Sequence, residues 1–237
     1  MNSTKKTARV AGLLYLLLVL TAPISLMYVP GKLIVQGNAT ATASRILASE
    51  SLFRIGIVSG LVAAVISMFL ALALYQLFKG VNQQHASLMV ILVLIQVPLG
   101  FLNELNHLAA LILVRGADFL AVFDKPQRDT LAMMFLNLHG QGTIVSEIFW
   151  GLWLFPFGLL VFRSGFLPRL LGVWLIINGF AYVTMSFTGL LLPAHYKMVS
   201  NITFPALLGE MAIMLWLLIM GTKSQPLADL ASAPAGG

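Results

Sequence analysis

Apolar positions in this chain run in windows of about twenty residues, the length an α-helix needs to cross a bilayer. Six such windows predict helices at about 10–29, 53–78, 87–114, 131–162, 168–192 and 202–221. Each closes on a basic residue or a Pro/Gly punctuator: Pro30-Gly31, Lys79-Gly80, Arg115-Gly116, Arg163, Pro193 and Lys223. The second and fourth windows exceed the minimum, so those helices are expected to tilt or to extend past the bilayer. Pro98 and Pro156 should kink the third and fourth. Residues 1–223 read as one six-helix transmembrane domain. Residues 224–237, rich in Ala, Pro and Gly, read as a disordered tail.

Composition agrees with the pattern. Of 237 residues, 59% are hydrophobic and only 9% charged, against roughly 25% charged in soluble domains. Mean hydropathy is +0.94. Such a chain lacks the polar groups to cover a surface in water, and an all-α polytopic bundle satisfies its backbone within lipid. The net charge of +6 does not point to nucleic acid, because the basic residues flank the spans and none form a run interleaved with aromatics. The absence of cysteine excludes disulfides, thiolate catalysis, iron–sulfur clusters and cysteine-ligated zinc.

Lys5, Lys6 and Arg9 ahead of the first window resemble the start of a signal peptide, but the apolar stretch continues to Val29 and reads as a retained helix. Basic residues divide evenly between the two faces. The dense groups at the amino terminus and in the short Arg163–Arg169 loop favour a cytoplasmic location for both termini. Gly56 and Gly60 form a Gly-x-x-x-Gly pair, expected to pack against neighbouring helices of the same chain.

Ionisable residues inside spans are costly and mark functional sites or polar helix contacts. Glu104, His107, Glu147, Glu210 and, nearer the surface, His139 fall in this class, with Asn103 among the supporting polar groups. Counting along the helices puts Glu104 about 15 Å deep, His107 and Glu147 about 10 Å, and Glu210 about 13 Å. Arg54 starts near the same layer. These residues are therefore expected to meet in one half of the bundle, with Arg54 as counter-ion. Three carboxylates there cannot all be ionised without compensation.

Glu104 and His107 stand at i, i+3, the spacing with which di-iron carboxylate bundles bind metal. Glu104, His107, His139 and Glu147 are accordingly the candidate ligands of a divalent metal. A hydrogen-bonded network of Glu, His, Asn and Gln that fixes packing is the structural alternative. His107 and His139 are the only pair placed for bis-histidine haem, and no attachment motif supports it. No Walker loop, Gly-x-Ser-x-Gly, His-Glu-x-x-His or Gly-x-Gly-x-x-Gly is present.

Four stretches carry a family resemblance: Ala11-Gly12-Leu13-Leu14-Tyr15-Leu16, Ala48-Ser49-Glu50-Ser51-Leu52-Phe53-Arg54, Arg163-Ser164-Gly165-Phe166-Leu167-Pro168-Arg169-Leu170-Leu171-Gly172, and Gly209-Glu210-Met211-Ala212 leading to Leu215-Trp216-Leu217. Over about residues 8–222 the chain resembles the prokaryotic membrane family of domain of unknown function 4386. The resemblance implies the multi-span architecture and a bacterial inner-membrane location, and supplies no catalytic residues.

The reading that follows is a polytopic protein binding a small or lipid-like ligand in an outward-facing intramembrane pocket lined by Glu104, His107, Glu147, Glu210, Asn103 and Arg54. Three rivals are a proton-coupled transporter using Glu210 or Glu147, a metal-dependent enzyme acting on lipid, and an accessory subunit in which the cluster only fixes packing. A cavity lined by these residues would argue against the last.

Overall fold

The computed structural model describes residues 3–222, so the tail expected at 224–237 lies outside them. The described chain is helical and holds six stretches long and apolar enough to cross a membrane: Thr4–Leu33, Glu50–Phe78, Gln83–Arg115, Lys125–Arg163, Arg169–Leu191 and Pro193–Ile219. It is an integral, multi-pass membrane protein. The helices are α1 (Ser3–Pro23), α2 (Val29–Leu33), α3 (Ala39–Ala48), α4 (Glu50–Phe78), α5 (Gln83–Arg115), α6 (Lys125–Leu152), α7 (Leu154–Arg163), α8 (Arg169–Leu191) and α9 (Tyr196–Ile219).

Local chemistry sets the boundaries. Asn82 caps α5 by accepting from the His85 backbone N–H, and Gly116, in the left-handed region at φ 73°, ends it. Asp124 and Gln127 form a reciprocal capping box on α6. The expected effects of proline divide. Pro156 has no N–H to bond the carbonyl of Leu152, and the fourth span breaks there into α6 and α7. Pro98 sits inside α5 without interrupting it. After Pro23 the first span passes through a π-helical segment, Ile24–Tyr28, before α2. Such a widened turn is often found at functional sites.

The spans close into a ring. α1 packs on α4, α4 on α5, α5 on α6, the α6–α7 span on α8, α8 on α9, and α9 back on α1. Each span touches its sequence neighbours, and the α1–α9 contact closes the circle. α3 lies across α5 and α6 at the end away from the amino terminus. α5 and α6 are long, at 33 and 28 residues, while α8 and α9 have 23 and 24. The α5–α6 end therefore projects beyond the α8–α9 turn.

Two apolar plugs seal the ring. At the amino-terminal end Tyr15, Leu74, Phe78, Met89, Phe157, Leu175 and Leu217 pack together. At the other end Leu33, Ile46, Phe53, Leu111 and Leu136 do so. The outward faces remain apolar, as at Phe69, Leu102 and Phe180, and face lipid.

Glycines set the closest contacts. A Cβ at Gly158 would stand 2.7 Å from the Gly172 carbonyl oxygen, and one at Gly172 would stand 2.6 Å from that of Gly158. Gly151 and Gly179 oppose one another in the same way one turn or more along. Gly12 lies against the backbone of Leu217 and Leu218 where the ring closes. These approaches drive association in lipid, where apolar side chains gain little from leaving the solvent.

Gly158→Ala should therefore destabilise the protein in detergent by about 1–3 kcal/mol, because backbone on both sides must separate. Gly140→Ala, where a Cβ meets nothing within 4 Å, should be neutral or stabilising by up to about 1 kcal/mol. Thermal unfolding of both variants gives the comparison; equal melting temperatures would contradict the packing described.

Candidate functional site

Between the two plugs lies a cavity of about 400 Å³, bounded by α1, α4, α5, α6, α8 and α9. Its walls are mainly apolar. Polar side chains gather at two ends: Ser25, Asn103, Glu104 and His139 at one, Tyr15, Tyr182 and Glu210 at the other. Tyr15 and Ser25 are ten positions apart on the first span, so the ends are about 15 Å apart along the helix axis.

The first end is built around Glu104, which is 7% exposed. Its Oε2 lies 2.8 Å from His107 Nδ1, one turn away on α5. Its Oε1 lies 3.5 Å from His139 Nε2 on α6 and accepts from the Ser25 hydroxyl at 3.4 Å. A carboxylate buried this far needs such partners, since desolvation without hydrogen bonds costs several kcal/mol or more. The two imidazoles stack with centroids 3.6 Å apart, and the Phe53 ring meets His107 edge-on. Stacking ring upon ring does not set the two imidazoles on opposite sides of a haem plane.

Small residues make this arrangement possible. A Cβ on Gly60 would collide with Glu104 Oε1 and come within 2.9 Å of Ser25 Oγ. A Cβ on Gly142 would collide with the Asn103 amide. Asn103 Nδ2 donates to the His139 carbonyl at 3.0 Å, and the Thr143 hydroxyl donates to the same oxygen at 3.1 Å. α6 is thereby tied to α5 at the height of Glu104. The π-helical segment carries Ser25 to its place facing Glu104.

The second end is built around Glu210 on α9. It accepts from the Tyr15 hydroxyl at 2.5 Å and from Asn178 Nδ2 at 3.3 Å, with the Tyr182 hydroxyl beside it. Trp150 and Trp153 line the same part of the cavity.

The expected meeting of all candidate residues in one layer does not occur. Glu104, His107, His139 and Asn103 come together. Glu210 lines the same cavity at its far end. Glu147 is eight positions beyond His139, about 12 Å further along α6, and does not line the cavity. Its Oε1 accepts from the Tyr196 hydroxyl at 2.6 Å, and its Oε2 has no partner among the described residues. The reason is helix length: α6 projects so far past α9 that Glu147 meets the first residue of α9. Arg54 is not the counter-ion. It pairs with Glu50 at 2.8 Å on the surface, where both side chains keep their hydration.

Glu104, His107 and His139 each present one ligand atom, all within 4.8 Å of one another. One carboxylate oxygen and two imidazole nitrogens are a donor set that can hold a divalent transition metal. Glu147, the fourth expected ligand, is too far along α6 to join them.

The chain belongs to the family described as a domain of unknown function, DUF4386, whose model matches residues 10–221. No curated protein and no solved structure matches it.

Gly60 gives a direct check on the first end. Gly60→Ala should dislodge Glu104 from Ser25 and lower stability by about 1–3 kcal/mol. Gly56→Ala, whose Cβ would have Val29 side-chain carbons as its nearest neighbours, the first at 3.0 Å, should cost less. Thermal unfolding in one detergent ranks the two, and the reverse order would contradict the seat assigned to Glu104.

Proposed function

We propose that the protein binds a small or lipid-like amphiphile in the cavity between its two apolar plugs, in a bacterial cytoplasmic membrane with both termini on the cytoplasmic side. The observation that carries this reading is the cavity itself: about 400 Å³, mainly apolar, with a carboxyl group among polar partners toward each end. That is the usual make-up of a site for an amphiphilic ligand. A cluster that served only to fix packing would have closed over dry, with its side chains in contact.

The route of entry follows from the rim. Leu26 and Met27 on the first span and Met211 on α9 line the cavity and are also exposed on the outer surface. The exposed part of the lining is thus apolar. A ligand dissolved in the bilayer enters there without leaving lipid.

A second reading has its own observation. The Glu104, His107 and His139 set favours a bound metal, and Glu104 and His139 line the cavity. Bound there, a metal would supply Lewis-acid chemistry to a lipid in the cavity. The chain's own contribution would be to hold the ligand and fix its orientation.

One preparation tests both. Protein purified in mild detergent should release a stoichiometric amphiphile on organic extraction, identified by mass spectrometry. Gly100 lines the cavity, and a Cβ there meets nothing within 4 Å. Gly100→Leu should therefore fill the space, leave the melting temperature unchanged or higher, and remove the amphiphile. Retention by a folded Gly100→Leu protein would contradict the binding reading. About one transition-metal ion per chain, lost in His139→Ala, is the outcome for the metal reading; a metal-free wild-type protein that stays metal-free when supplied with zinc or manganese would end it.

A further inference from the structure

We propose that the Glu210 end of the cavity is a cage for an organic ammonium group, so that the amphiphile bound here is a lipophilic amine or quaternary ammonium. The inference rests on the amphiphile-binding reading above and names the chemistry of its head group. Four aromatic side chains from three parts of the ring, Tyr15, Trp150, Trp153 and Tyr182, line this end together with the Glu210 carboxyl group. They also contact each other: Tyr15 and Trp153 have centroids 6.3 Å apart, and Trp150 meets Tyr182 edge-on at 5.8 Å. Phe157 stacks on Trp153 at 5.3 Å and holds it from behind. Aromatic rings converging beside an acid are the arrangement by which proteins recognise ammonium ions, each ring contributing through its negative face.

Three further observations select a cation. Among the described residues no lysine or arginine lines the cavity, so a phosphate, sulfate or carboxylate head would be buried without a lysine or arginine counter-charge. The hydrogen bonds to Glu210 come from the Tyr15 and Tyr182 hydroxyls and the Asn178 amide. All three donors are neutral, which leaves the place of a cation to the ligand. Gln96 also lines the cavity, and its Oε1 is buried with no hydrogen-bond partner among the described residues. An oxygen in that position accepts from a ligand N–H or faces a polarised N–CH₃ group. Simple aromatic packing accounts for the ring contacts but not for a carboxyl group and an unpartnered acceptor that line the same cavity from facing spans.

The test uses full-length protein in nanodiscs of an uncharged, amine-free glycolipid and three labelled probes with the same tail: decyltrimethylammonium, decanol and decanesulfonate, each below its micelle concentration. The ammonium should bind saturably and about tenfold or more tightly than the alcohol, and the sulfonate should not bind above empty nanodiscs. Glu210→Gln and Trp150→Leu should each weaken ammonium binding about tenfold and leave the alcohol unchanged. If Glu210→Gln does not fold, Trp150→Leu and the wild-type preference among the probes decide the question. Equal binding of ammonium and alcohol would overturn the cage and leave the amphiphile site standing. Binding of none of the three would overturn both.

Discussion

The arrangement of this bundle depends on the burial of one carboxyl group, that of Glu104. In a low-dielectric interior it must be surrounded by donors or it is too costly to keep. The donors come from α5 itself, from α6 and from the π-helical turn of the first span. That requirement fixes the relative height of three spans. It also explains two glycines, since a side chain on Gly60 or Gly142 would occupy the space of Glu104 or Asn103. The ring of spans supplies the enclosure, and the glycine contacts between the α6–α7 span and α8 draw its far wall tight.

A consequence is that packing is tight at the plugs and along the α7–α8 contact, while the middle stays open. The side chains that line the middle on α4 are small: Gly60, Ala63, Ala64 and Ser67. Larger residues there would close it. The two ends of the resulting space differ in chemistry. One presents imidazoles and a carboxyl group, the donor set of a metal site. The other presents a carboxyl group among aromatic rings. A ligand reaching both would have to be long and largely apolar, which suits the exposed apolar lining at Leu26, Met27 and Met211.

Much of this was legible in the sequence, and the limits have physical causes. Hydropathy located all six spans, because twenty-residue apolar windows have few other uses. Glu104, His107, His139 and Asn103, which come together in the structure, were conspicuous in the sequence because polar groups in lipid are costly. Their heights were not legible. Depth counting assumes that every helix begins at the same plane, and α6 projects past α9. Glu147 was misplaced for that reason, and it meets Tyr196 instead. Arg54 was misassigned because a nearer partner, Glu50, lies one turn back on the same helix. No pattern in the sequence sets Tyr15, Trp150, Trp153 and Tyr182 apart as a group. Nothing in a window of apolar sequence shows which aromatics from distant spans will converge. Gly56 and Gly60 announced close packing, but only the structure shows that Gly60 leaves room for a carboxyl group rather than for a neighbouring helix.

The central claim is that an open, amphiphile-sized space separates the Glu104 and Glu210 ends. A cryo-electron microscopy map of the protein in nanodiscs, resolved well enough to trace side chains, tests it most directly. The account predicts elongated density that belongs to no residue, running from near Gly100 toward Glu210. Side chains of α1 and α9 closed onto α5 and α6, with no space between the two carboxyl groups, would contradict it.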